Sequence, residues 1–277
     1  MVQRSGNRAR VNFIPGSRTL LRAWRIPRIA VHLVMGLGTI WFAFPSLDAD
    51  ARRTRIRRWS KRLLHLMNVD LRMTGVLHRP NVLVVANHVS WLDIFALHAV
   101  GPVRFIAKSE IAHWPLLGRL VAGVGTLFIE RERRHDTHRV NRQVAEALAA
   151  GDIVAVFPEG TVTDGTNLLP FKGSLMQPIV DAGGHVQPVA IRYRTPDGAP
   201  TTVPAYVEDV TFMGSLWRIC GEPALVVQLT ALPPVAAQQQ HRRVLARQME
   251  TAIRAALALP ERGSAPGRAA DRESESQ

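Results

Sequence analysis

Hydrophobic positions along the chain change their period twice, and each change marks a different kind of structure. The most apolar run covers residues 29–44 (IAVHLVMGLGTIWFAF); His32, Gly36 and Gly38 interrupt it and Pro45 closes it. A helix of that length extends about 24 Å at ~1.5 Å per residue, short of the ~30 Å hydrocarbon core of a bilayer. Over residues 52–67, Ile56, Trp59, Leu63, Leu66 and Met67 recur at helical spacing, while Arg52, Arg53, Arg57, Lys61 and Arg62 fill much of the rest. That spacing predicts a basic amphipathic helix.

From about residue 70 short apolar runs alternate with helical patterns, which implies an α/β domain. Strands are expected at 82–86, 103–107, 127–129, 153–157, 186–193 and 224–229. Helices are expected at 91–100, at 139–149 with Val140, Val144, Ala147 and Leu148 on one face, and at 243–257. The chain then divides into a mobile basic lead (1–17), a membrane-associating pair of helices (18–68), a catalytic domain (69–258) and a polar, disordered tail (259–277).

Charge sharpens this division. Lys and Arg exceed Asp and Glu by 13 in 277 residues, an excess that calls for an anionic partner, either nucleic acid or an anionic membrane. Its location separates the two. Arg18, Arg22, Arg25 and Arg28 precede the apolar run; Arg52, Arg53, Arg55, Arg57 and Arg58 follow it. A single span would carry one cluster across the bilayer, against the positive-inside tendency. A helical hairpin dipping into one anionic leaflet satisfies both; the plainer alternative for 52–67 is a helix packed on the core with a solvated basic face. No aromatic-interleaved basic patch or helix-turn-helix pattern supports a nucleic-acid binder. The lone Cys220 excludes an internal disulfide or a cysteine zinc cluster, fits a reducing compartment and reads as a buried apolar residue. The basic start and the lack of a small-residue cleavage site argue against a signal peptide.

Candidate chemistry falls where apolar strands end. In NHVSWLD, residues 87–93, His88 is the natural general base, and Asp93 can return from the next helical turn to fix its tautomer. The same Ser90-x-x-Asp93 spacing also makes a capping box. In FPEGT, residues 157–161, Pro158 stops the strand and Gly160 permits unusual backbone angles beside Glu159 and Thr161. GTLFIER, residues 125–131, ends in Arg131, a side chain suited to bidentate phosphate binding but equally able to pair with Glu130 or Glu132. Lys108 ends another apolar run in the same way.

The ordered set of NHxxxxD at 87–93, GxxFIxR at 125–131, FPEGT at 157–161 and QPVA at 187–190 resembles the four blocks of the glycerolipid acyltransferases, which include the 1-acyl-glycerol-3-phosphate acyltransferases. The likeness covers roughly residues 70–230, and Val162 departs from it where many members carry Arg or Ser. It implies an α/β fold with a mixed, mostly parallel sheet flanked by helices, an N-terminal membrane-associating segment, and a seat on the cytoplasmic face of the inner membrane. By the same resemblance His88 is the general base and Asp93 orients it. Arg131 binds the acceptor phosphate. Asn87, Lys108, Gly125, Glu159, Gly160 and Thr161 belong to the substrate-binding set, and Pro188 lies in the block linked to the acyl donor. The implied co-substrate is acyl-CoA or acyl carrier protein, the acceptor a lysophospholipid such as 1-acyl-sn-glycerol-3-phosphate or lyso-ornithine lipid, with no metal and no cofactor. A serine hydrolase lacks support, since no GxSxG elbow occurs and Ser90 lies two residues from His88. His135 and His138 form a further histidine pair, at the start of a charged helix and too few to hold a metal.

Overall fold

The computed structural model describes residues 15–78, 80–101, 103–113, 117–129, 134–149, 151–207 and 210–260. Seven strands form a sheet in the order β1-β7-β6-β2-β5-β3-β4, and β8 pairs with β6. In chain order they are β1 (Val69–Thr74), β2 (Val82–Ala86), β3 (Val103–Lys108), β4 (Leu127–Ile129), β5 (Ile153–Val156), β6 (His185–Arg194), β7 (Leu225–Ala231) and β8 (Val235–Ala236). Every pairing is parallel except β6 with β7 and with β8. The sheet is thus mixed and mostly parallel.

The continuous apolar runs of the central strands follow from burial on both faces. Val82, Val84 and Ala86 of β2 enter one core with Ile153 and Ala155 of β5, while Leu83, Val85, Val154 and Val156 enter the other. The first core is completed by α1 (Pro15–Gly38), α2 (Ala49–Leu66), α3 (Leu92–Val100) and α7 (Phe212–Gly221); the second by α5 (Arg134–Ala149), α6 (Gln177–Ala182) and α8 (Arg242–Ala256). A further helix, α4 (Leu117–Gly123), precedes β4.

The amino-terminal hairpin differs from the sequence expectation in length and in facing. α1 starts at Pro15, passes through Pro27, and continues as a π-helical turn (Thr39–Ala43) and a 3₁₀ turn (Phe44–Ser46) that contains Pro45. Helix over Ser17–Ser46, 30 residues, is long and apolar enough to cross a membrane by length and composition, so the shortness inferred from residues 29–44 does not hold. α2 turns Leu63, Leu64, Leu66 and Met67 into the core, leaving Arg55, Arg58, Lys61 and Arg62 exposed. Its apolar stripe therefore covers the sheet and α3, and the large exposed apolar side chains of the hairpin are on α1 and the turn after it. His32 and Trp59 clasp the two helices: their rings stack at 4.6 Å, Trp59 Nε1 donates to His32 O, and His32 Nε2 meets Trp59 O. Gly36 makes this possible, because a Cβ there would lie 2.7 Å from the indole nitrogen.

Candidate active site

His88 and Asp93 meet at the carboxyl end of β2, where parallel strands leave a crevice. His88 Nδ1 lies 2.8 Å from Asp93 Oδ2, and the imidazole stacks on Phe157 at 4.0 Å. Nε2 has no hydrogen-bond partner among the described residues, and the side chain keeps 18% of its surface accessible. An imidazole held by one nitrogen and one face presents its other nitrogen as a base.

Asp93 is fully buried. Oδ2 also accepts from the backbone N–H groups of Val89 and Ser90, and Oδ1 accepts from the Tyr193 hydroxyl at 2.6 Å. Burial, then the Asp93 charge, holds the Tyr193 phenol well above its usual range, so it stays a donor. Tyr193 comes from β6, a hundred residues away in sequence, and carried no local signal. An inward-facing strand position occupied by a buried tyrosine, whose hydroxyl needs a partner, was the available hint.

FPEGT supplies the adjoining turn. Glu159 is 3% exposed; Oε1 accepts from His88 N at 2.8 Å and Oε2 from Leu169 N at 2.9 Å. Burial pushes its carboxyl up, and these two N–H donors oppose the shift. The side chain thus clamps the His88 backbone to the 160–169 loop, with both oxygens committed to backbone. Gly160 has φ +79°, a left-handed turn that swings the chain away after β5. Thr161 is exposed, and Thr163 N donates to His88 O.

The remaining expected residues divide by placement. Asn87 is buried, its amide paired in both directions with the Ile191 backbone, so it stitches β2 to β6. Pro188 is buried in β6 where that strand's neighbour changes from β8 to β7, a position that tolerates a missing N–H. Gly125 precedes β4, and its carbonyl accepts from Arg104, which also reaches Asp152. Lys108 ends β3; its side chain and the whole of Arg131 lie outside the described residues.

Residues 68–192 match the family model described as Acyltransferase. The chain is 44% identical over 182 residues to the 1-acyl-sn-glycerol-3-phosphate acyltransferase of Neisseria gonorrhoeae, covering 65% of this chain and 71% of that one. It is 39% identical over 245 residues to the lyso-ornithine lipid O-acyltransferase of Pseudomonas aeruginosa, covering 87% and 93%. The fold is similar to the crystal structure of the 1-acyl-sn-glycerophosphate acyltransferase of Thermotoga maritima, with a TM-score of 0.65 at 23% identity over 87% of this chain and 95% of that one. The chain belongs to the glycerolipid acyltransferase family, and it is an acyltransferase of the lysophospholipid type.

Proposed function

We propose that the protein transfers a fatty acyl group from acyl-CoA or acyl carrier protein to the free hydroxyl of 1-acyl-sn-glycerol-3-phosphate, giving phosphatidic acid. The observation that carries this reading is the His88–Asp93 pair, oriented from four sides and open at Nε2. His88 Nε2 takes the acceptor hydroxyl proton as its oxygen attacks the thioester carbonyl; the C–S bond then breaks, and the thiolate leaves with the proton that the imidazolium returns. Asp93 fixes the ring and offsets its charge while it holds the proton. Arg131, one residue past the Gly125–Glu130 stretch, and Lys108 are the cations proposed for the acceptor phosphate. Thr161 contacts the acceptor, and Glu159 and Gly160 act by shaping the turn against His88. No metal or further cofactor enters these steps. The exposed apolar face of α1 and the arginines around it support a seat at an anionic membrane surface, which we place, as part of this reading, at the cytoplasmic side of the inner membrane.

Two observations favour a second acceptor, lyso-ornithine lipid. The Pseudomonas relative of that name aligns over nearly its whole length. Val162 also stands where many members of the resembled family carry Arg or Ser, and two residues on lies Asp164, whose carboxyl Thr166 holds low by donating to it. A fixed negative charge there suits an ammonium better than a phosphate dianion. A panel of lysophosphatidic acid and lyso-ornithine lipid with one labelled acyl thioester decides between them. Label in phosphatidic acid with at least about a tenfold preference in kcat/KM, ~1.4 kcal/mol in the transition state, supports the first reading; the reverse preference replaces it with the second.

A further inference from the structure

α1 and α7 expose large apolar side chains side by side. α1 turns out Trp24, Val31, Val34 and Met35, with 57–65% of each accessible, and α7 turns out Met213 (61%) and Trp217 (50%) one helical turn apart. The two stripes are locked together. Arg25, 3% exposed, donates to the carbonyls of Cys220, Glu222 and Pro223, closing the carboxyl end of α7 with a cation. Arg22 donates to Trp217 O, and its guanidinium lies 4.7 Å from the Trp217 ring centroid. Arg28 sits 4.0 Å over Trp24. An exposed indole paired with a guanidinium is the chemistry of a membrane interface, with the ring at headgroup depth and the cation at lipid phosphate. These pairs identify the occupant as an anionic lipid surface.

The opposite side of α7 touches the catalytic loop. Trp91 Nε1 donates to Ser215 Oγ at 3.0 Å, and the Trp91 ring packs on Phe212 at 5.0 Å. Trp91 belongs to the turn that joins His88 to Asp93. The geometry points to α7 as a second lipid-contacting helix, which together with α1 seats the loop carrying His88 against an anionic bilayer. This rests on the membrane reading above and extends it, because that reading places only the amino-terminal hairpin at lipid.

The test uses the full chain with Met213→Cys carrying an environment-sensitive NBD label; Cys220 is buried, out of reach of the reagent. Parallel labels sit at Val34→Cys on α1 and at Val244→Cys, exposed on α8 across the sheet. Vesicles of phosphatidylethanolamine and phosphatidylglycerol should blue-shift and brighten the label at 213 and 34 and leave 244 unchanged. A shift at 34 without one at 213 removes α7 from the interface and leaves the membrane reading standing; no shift at either removes both. Independently, Met213→Glu should weaken vesicle partitioning by about tenfold, the loss of one buried thioether side chain, while turnover of a detergent-dispersed lysolipid stays unchanged. Equal losses in vesicles and in detergent would assign Met213 to folding and contradict the proposal.

Discussion

Asp93 Oδ2 receives the His88 imidazole together with the two backbone N–H groups of the turn that opens α3, so the capping carboxylate and the orienting carboxylate are one group. Of the capping box expected at Ser90-x-x-Asp93 one half is present: Ser90 N donates to Asp93 Oδ2, while Ser90 Oγ accepts from Leu92 N in place of Asp93 N. Tyr193 completes the arrangement by occupying Oδ1. Removing that hydroxyl leaves Asp93 with its backbone donors but free to tilt, and His88 tilts with it. Tyr193→Phe is expected to lower kcat on the order of tenfold with KM unchanged, and to reduce stability by about 1–3 kcal/mol, the range for a buried bond to a charged acceptor. Steady-state kinetics beside a urea melt check this. A change in stability with kcat intact would make Tyr193 a packing residue only.

α3 carries Asp93 in its first turn and His98 in its last, and the two ends respond differently to acid. His98 is 2% exposed, edge-on to Phe105, and neither ring nitrogen has a partner among the described residues. Burial lowers its pKa from 6.5 to about 4. The folded state then refuses a proton that the unfolded chain accepts. Stability is complete above about pH 6.5 and falls as pH drops toward 4, by at most about 1.4 kcal/mol per unit from this group. His98→Leu should flatten that slope in denaturant midpoints measured between pH 4 and 7; an unaltered slope would place the acid sensitivity elsewhere.

Elements buried on two faces were the legible ones. Residues 82–86 and 153–157 read as strands because both alternating sets are apolar, and the observed β2 and β5 end within one residue of them. α7 was not legible: FMGSLWRICG places Met213 and Trp217 outward while Leu216 and Ile219 point inward, so apolar residues occupy both faces and blur the helical period. β1 escaped because it lies at the sheet edge with Asp70 and Arg72 turned to solvent. The start of α1 at Pro15 lies close to the 18–68 pair of helices expected, but the burial of Arg25 escaped because it looks like surface charge, and only the carbonyls it meets at the end of α7 explain it. Within the site, the meeting of His88 with Asp93 was expected from the resemblance of the ordered blocks, since the local spacing alone is shared with a helix cap. Glu159 entered the expected substrate-binding set only through the resemblance, and neither its burial nor its role as a clamp was legible, since its two backbone partners lie 71 and 10 residues away.

For the molecule as a whole, the parallel strands β2 and β5 bring NHVSWLD and FPEGT to one crevice, and α7 joins that crevice to the amino-terminal hairpin. On the proposed reaction a thioester and a lipid-borne hydroxyl meet at such a boundary, and α7 meets Trp91 through Phe212 and α1 through Trp217. The arrangement accounts for a net charge of +13 whose arginine clusters flank the apolar run within the hairpin. The proposed reaction turns on proton transfer by His88. The most direct measurement is the initial rate of label transfer from an acyl thioester to vesicle-borne lysolipid by the native protein and by His88→Ala, with thermal melts and vesicle binding measured on the same samples. His88→Ala is expected to melt and bind vesicles as the native protein does and to lose at least about a thousandfold in rate, the scale of a positioned general base; transfer at the native rate would rule out His88 as the base.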